Sequence, residues 1–147
     1  METPLSDECF MRRALKEAQN AFDREEIPIG AVIVADNQVI AKGSNSVEQL
    51  NDVTAHAEIL AITSAEDFLG SKYLTDCTLY VTIEPCIMCA GAIYWSHINR
   101  LVFGAYDEKA GFSKFAPSIL NQRINVTTQI LETDCSQLMK SFFTNKR

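Results

Sequence analysis

Thr78-Leu79-Tyr80-Val81-Thr82-Ile83-Glu84-Pro85-Cys86-Ile87-Met88-Cys89 is the stretch that decides the fold. Its first six residues are β-branched, aromatic or aliphatic and read as a strand. Pro85 then stands where a helix can begin, because a first-turn residue has no use for its N–H. Cys86–Trp95 continues as an apolar, buried helix, and Leu101–Ala105 follows as a further strand. Working outward, residues 6–24 form an amphipathic helix with Phe10, Ala14, Leu15, Ala18, Ala21 and Phe22 at helical spacing and Ser6 or Asp7 as its cap. Ala31–Ala35 and Val39–Gly43 flank the turn signal Asp36-Asn37 and read as a hairpin. Residues 44–53 are polar and loop-like, Thr54–Ala65 fits a helix, Val126–Ile130 a last strand, and residues 133–143 a closing helix. Strands and helices alternate after an opening hairpin, so the expected fold class is α/β: a mixed five-stranded sheet, part parallel, with helices on both faces in three layers. Ala31–Ala35 and Leu101–Phe103 are continuously apolar, as buried parallel strands should be.

The chain has 147 residues, the size of one compact domain with one core, and the expectation is a single domain over 1–147. Its 47% apolar and 22% charged content excludes disorder and fibrous repeats. No stretch approaches the roughly 20 apolar residues of a membrane span, and the first residues lack the basic start and apolar run of a signal peptide. A soluble, cytoplasmic protein is expected. Five cysteines, an odd number, argue against a disulfide framework, and the Cys86-x-x-Cys89 pair points to metal or redox chemistry.

His56-Ala57-Glu58, Glu84-Pro85-Cys86 and Cys89 form the constellation with chemistry in it. One imidazole and two thiolates make a Zn²⁺ ligand set. Cys86 and Cys89 share a helix face, and a helix N-terminus favours thiolate. Three grouped ligands rather than four leave a coordination place open to water, as in a catalytic zinc site. Water activated by zinc needs a proton carrier, and Glu58 is the candidate general acid/base. Residues i and i+2 diverge on a regular helix, so His56 and Glu58 can reach one pocket only at a first turn. The competing reading is a core histidine, a surface glutamate and two buried thiols.

His-x-Glu followed by Pro-Cys-x-x-Cys is the established signature of zinc-dependent nucleobase deaminases. Beyond it, Pro28-Ile29-Gly30-Ala31-Val32, Asn45, Asn51-Asp52, Thr54-Ala55-His56-Ala57-Glu58-Ile59, Leu79–Cys86, Met88-Cys89-Ala90-Gly91-Ala92-Ile93 and Val102-Phe103-Gly104-Ala105 resemble bacterial tRNA-specific adenosine deaminases. The resemblance runs from about residue 10 to the C-terminus and implies the three-layer α/β/α cytidine-deaminase-like fold. It implies a zinc-dependent homodimer that converts adenosine to inosine at the wobble position of a tRNA anticodon loop. Hydroxide delivered from zinc attacks C6 of a flipped adenine and ammonia leaves. It assigns zinc to His56, Cys86 and Cys89, and proton shuttling to Glu58. It assigns substrate contacts to Ile29, Asn45 and the Ala57 backbone, and RNA contacts to Asp107, Lys109, Phe143, Lys146 and Arg147.

Each assignment has a plainer alternative. Asn45 fits a loop asparagine bonded to its own backbone, Asp107 and Lys109 a solvated turn, and Lys146 and Arg147 a frayed end. Phe142 and Phe143 are adjacent, so at least one belongs to the core. Tyr94 and Trp95 read as packing residues rather than substrate contacts, with an interface role as the alternative. Residues 110–118 and 121–123 depart from the family, being shorter, more aromatic and without its histidine. Gly91-Ala92-Ile93-Tyr94-Trp95-Ser96 also resembles guanine deaminases, so a small-molecule purine is the alternative substrate, and a non-catalytic zinc module is a third reading. The net charge of −6 speaks against a phosphate partner, yet residues 1–96 hold 6 basic and 15 acidic residues and residues 97–147 hold 7 and 4. The last third is basic, so RNA recognition would come from the rim of the site itself, with few phosphate contacts.

Overall fold

The computed structural model describes residues 6–120 and 123–145. Helix α1 (Asp7–Asp23) starts where expected: Ser6 is extended and its hydroxyl accepts the Cys9 N–H at 3.2 Å. Strands β1 (Gly30–Ala35) and β2 (Gln38–Ser44) form the hairpin, turning through Asp36 and Asn37, both left-handed. A short helix α2 (Val47–Leu50) interrupts the segment expected to be loop. Helix α3 (Ala57–Leu69) begins three residues later than expected and stops at left-handed Gly70. Strand β3 (Thr78–Ile83), helix α4 (Ile87–Ser96) and strand β4 (Arg100–Ala105) follow. The short helix α5 (Phe112–Phe115) lies in the divergent segment. Strand β5 (Asn125–Thr127) is shorter than the expected 126–130, because the left-handed backbone of Gln129 and Leu131 turns the chain away. Helix α6 (Glu132–Asn145) closes the fold.

The five strands lie in the order β2-β1-β3-β4-β5. β1 is antiparallel to both neighbours, and β3, β4 and β5 are mutually parallel. The mixed sheet is therefore as expected, but the reason given for the apolar run of β1 needs correction. Its residues alternate between two cores rather than lining a parallel strand. Ala31 and Ile33 pack under α3 and α4, and Val32 and Val34 pack under α1 and α6. A strand covered on both faces is apolar throughout whatever its direction. β3 and β4 divide in the same way, with Leu79, Val81, Leu101 and Phe103 on one side and Tyr80 and Val102 on the other. Trp95, expected to pack, is 72% exposed, whereas Tyr94 packs on the core edge beneath the Arg123 guanidinium. Among the described residues no helix is long and apolar enough to cross a membrane.

A charged network ties α1 to the parallel half of the sheet. Asp7 accepts two hydrogen bonds from Arg100, at 2.8 and 2.7 Å, and one from the Tyr80 hydroxyl at 2.7 Å. Arg100 also donates to Thr127 on β5. The bidentate Arg100 contact holds the Asp7 carboxyl below its ordinary value, and burial, with the hydrogen bond to Asp7, holds the Tyr80 hydroxyl above its own. Because the folded Asp7 pKa is depressed, its contribution is present above the unfolded value and lost as pH falls through the folded one. Asp7→Asn is expected to lower unfolding free energy at pH 7 by about 1–2 kcal/mol, allowing for the partial exposure of the pair. Denaturant titrations should show the gap to wild type closing below about pH 4. A gap that stays constant down to pH 2.5 would remove the ion pair as its source.

Candidate active site

Helices α3 and α4 cover the same face of the sheet and share one core. Their N-termini converge. His56 is the N-cap of α3 (φ −76°, ψ 154°) and Cys86 the N-cap of α4 (φ −74°, ψ 175°). The first-turn placement that His56 and Glu58 need is thus present, and α4 starts at Ile87 rather than at Pro85. The His56 side chain makes no cap to its own helix, and the Cys86 side chain turns to Cys89 and His56. They face each other instead: His56 Nδ1 lies 3.6 Å from Cys86 Sγ and 3.5 Å from Cys89 Sγ. The three ligand atoms all lie within 4.8 Å of one another.

These separations test the fit of a metal. With bonds of about 2.0–2.1 Å to nitrogen and about 2.3 Å to sulfur, a tetrahedral zinc puts nitrogen and sulfur about 3.6 Å apart. The observed edges match, so His56 Nδ1, Cys86 Sγ and Cys89 Sγ would hold such an ion. The protein's own groups already prepare one thiolate. A hydrogen bond from Cys89, with a further one from His56, brings the Cys86 thiol down to about 4. The same bond and burial push the Cys89 thiol up, and the Cys86 thiolate raises His56.

Glu58 stands in the first turn of α3, is 3% exposed and shares a hydrogen bond with Cys89. Burial is the main cause that brings its carboxyl up to about 7, with the Cys86 charge adding to it. It can therefore carry or release a proton near neutrality. Glu58 lines a cavity of about 730 Å³ together with His56, Ala57, Ile29, Asn45 and Phe143. Asn45 is buried, and its Oδ1 meets no hydrogen-bond donor among the described residues. A loop asparagine satisfied by its own backbone is not what is found at that atom. An orphaned buried acceptor costs roughly 1–3 kcal/mol, and an acceptor lining a cavity is recovered when a ligand donates to it.

Asp107, Lys109 and Phe143 meet in a second cavity of about 770 Å³, so Phe143 is a wall common to both. Asp107 Oδ1 accepts the N–H groups of Lys109 and Ala110 at 3.0 and 3.1 Å, which shapes the turn that presents Lys109. Of the adjacent phenylalanines, Phe142 is buried against Phe22 and Phe143 is exposed. Lys146 and Arg147 lie outside the described residues.

Glu26 and Arg24 belong to this site and were not singled out from the sequence. The buried Glu26 carboxylate accepts the N–H groups of Glu48 (3.1 Å) and Gln49 (2.7 Å), capping α2 from more than 20 residues away where Ser46 supplies no side-chain cap. Arg24 donates to Ser44 Oγ at 2.6 Å. Both brace the loop that carries Asn45. Gly43 sets its height: a Cβ there would lie 2.3 Å from the Ala57 carbonyl oxygen and 2.8 Å from the Ala61 nitrogen. β2 and α3 touch backbone to backbone, which brings Asn45 alongside Ala57 and Glu58.

A mixed sheet between two helical layers, with a buried carboxyl beside a His/Cys/Cys set at two helix N-termini, is the arrangement of a deaminase. A sequence profile of the MafB19-like deaminase family matches residues 5–147, and the chain belongs to that family. It is similar to the tRNA-specific adenosine deaminase of Aquifex aeolicus, at 44% identity over 97% of each chain. A solved structure from a study of A-to-I editing by tRNA:A34 deaminases superposes with a TM-score of 0.84, at 43% identity, covering 88% of this chain and 98% of the other. A guanine deaminase from Bacillus subtilis is 44% identical, with a TM-score of 0.67, over 69% of this chain and 66% of its own.

The purified protein is expected to carry about one Zn²⁺ per chain by elemental analysis. Cys86→Ser should reduce that to near zero and lower Tm by several degrees, since metal binding and folding are coupled. Wild-type zinc content in that variant would take Cys86 out of the ligand set.

Proposed function

We propose that the chain hydrolytically deaminates adenosine to inosine at the wobble position of tRNA, with zinc held by His56, Cys86 and Cys89 and with Glu58 as the proton carrier. The observation that carries the chemistry is the buried Glu58 carboxyl, with a pKa of about 7, beside a tetrahedrally spaced N/S set at the base of a cavity. Zinc, when bound there, supplies an activated water at neutral pH. The water oxygen bonds to C6 of the purine as Glu58 takes its proton and gives it to the ring nitrogen. Glu58 then passes the remaining hydroxyl proton to the amino group, the C6–N bond breaks and ammonia leaves. Asn45 Oδ1 and the Ala57 backbone hold the base edge, and Ile29 packs against the ring. A base stacked in an anticodon loop cannot present C6, so it must be turned out of the loop into the cavity.

Lys109 and Lys140 line the second cavity beside Phe143 together with Asp107, Glu108 and Glu132, so two cations in a mixed-charge rim support reading it as the RNA side with few phosphate contacts. Phe143 supplies a stacking surface there, and Lys146 and Arg147 extend the same end. Identity of 44% to a tRNA-specific enzyme spans nearly the whole chain, whereas a guanine deaminase structure that covers 97% of it is 26% identical. A free purine base is the second reading, favoured by the likeness to guanine deaminases. We also infer one domain over 1–147, a cytoplasmic location and a homodimer. Tyr73 and Trp95 stand exposed and line one shallow pocket with Ile59, Ile62 and Ala92, which supports reading this surface as the one covered by a second copy.

Incubated separately with an adenosine-wobble tRNA, guanine and cytosine, the protein should form inosine in the tRNA. Guanine turnover with no inosine would defeat the tRNA reading. Glu58→Ala should keep its zinc and lose at least about 10³-fold in turnover; near-wild-type ammonia release would remove Glu58 from the proton path. Affinity for an anticodon stem-loop should fall with salt at a log–log slope of about −2 to −3, the value for three or four phosphate contacts. A slope near −8 would require a basic surface that this rim does not have.

A further inference from the structure

We propose that Glu84 is a positioning residue that fastens the recognition loop, residues 106–113, to the turn bearing Cys86. The proposal rests on the reading above that the substrate is RNA. Glu84 is 4% exposed and is not among the residues lining the cavity that holds Glu58, and the proton path described above gives it no task. Among the described residues, its carboxylate accepts hydrogen bonds from that loop alone. Oε1 accepts the Asp107 N–H at 3.1 Å, and Oε2 accepts the Ser113 N–H at 3.0 Å and the Ser113 hydroxyl. The backbone continues the join: Glu84 N–H donates to Ala105 O at 2.8 Å, Phe112 N–H donates to Pro85 O at 2.9 Å, and Cys86 forms an isolated bridge with Gly111.

Gly111 makes the approach possible. A Cβ there would lie 2.1 Å from Glu84 Oε1 and 2.6 Å from the Asp107 carbonyl oxygen. The loop is folded around a carboxylate, and no side chain at Gly111 could share the space. Asp107 then holds Lys109 N–H and Ala110 N–H, so the chain of contacts runs Glu84, Asp107, Lys109. At its other end Glu84 is two residues from Cys86 in sequence. One buried carboxylate therefore sets the distance between the catalytic turn and the loop that meets the RNA.

A fastening of this kind acts on substrate alignment and leaves the chemical step alone. Glu84→Gln keeps the shape but sets an NH₂ donor against N–H donors. Ser113→Ala removes the hydroxyl half alone. With an adenosine-wobble stem-loop, Glu84→Gln should raise KM about 10-fold with kcat within about twofold and zinc at one per chain, and Ser113→Ala should raise KM two- to threefold. The double variant should match Glu84→Gln, because both act through one contact. Hydrogen exchange followed by mass spectrometry should show faster exchange over 106–113 in Glu84→Gln, with the α3 and α4 peptides unchanged. Unchanged protection over 106–113 would overturn the proposal, and so would a fall in kcat at constant KM or a loss of zinc. If the wild type turned over only free purines, the RNA reading would fail while the exchange measurement still decided the fastening.

Discussion

Two helices that end at the same point organise everything else in this molecule. α3 and α4 lie on one face of the sheet, and the sheet's connections bring their N-termini together. An N-cap residue has extended dihedrals, so its side chain projects ahead of the helix instead of around it. His56 and Cys86 both occupy such positions and meet in front of the two helices. The positive ends of both helix dipoles point into the same small volume, which favours a thiolate there and a bound water that gives up its proton. Glu58 and Cys89 enter from the first turns behind. The separations that match a tetrahedral centre thus follow from helix placement, with no specialised loop required.

Around that point the cavity has two kinds of wall. One is backbone: the Ala57 turn, the end of β2 against it, and the Asn45 loop held by Glu26 and Arg24. The other is made of side chains, from Ile27 and Ile29 to Phe142 and Phe143. The first wall carries the polar groups that meet the reacting edge of a base. The second is apolar, partly exposed and continuous with the cavity beyond Phe143, which mixes Lys109 and Lys140 with Asp107, Glu108 and Glu132. A site arranged in this way holds the reacting edge rigidly and lets the surroundings of the base vary, which fits a chain similar both to tRNA-specific adenosine deaminases and to a guanine deaminase.

What the sequence revealed depended on how far apart the cooperating residues stand. Cys86 and Cys89 announce themselves because helical spacing puts them on one face, and His56-Ala57-Glu58 because two functional groups fall within one turn. The strands were legible from their apolar runs, although β1 is apolar because helices cover both its faces and not because it is parallel. α2 escaped notice because its cap is Glu26, which reads locally as one more surface acid after a helix. Glu84 hid for a related reason: a carboxylate beside Pro85 looks like the edge of a motif, and its partners lie 23 and 29 residues later. Trp95 misled because a large apolar residue on a buried helix is ordinarily core, and here the helix turns it outward. Pattern reading senses neighbours within a turn or a strand pair and misses polar contacts made across long loops.

The contact between Gly43 and Ala57 has a consequence for how such an enzyme can be altered. Main chain meets main chain there, and main chain has no rotamers to change and no methylene to trim. The distance between the Asn45 loop and the Glu58 turn is therefore closed to adjustment by single substitutions. Variation must act on the opposite wall, where Ile27, Ile29, Phe142 and Phe143 can each be shortened or reshaped without moving α3. New substrates for this scaffold, whether found by selection or by engineering, should be reached by remodelling that wall around a fixed reaction centre.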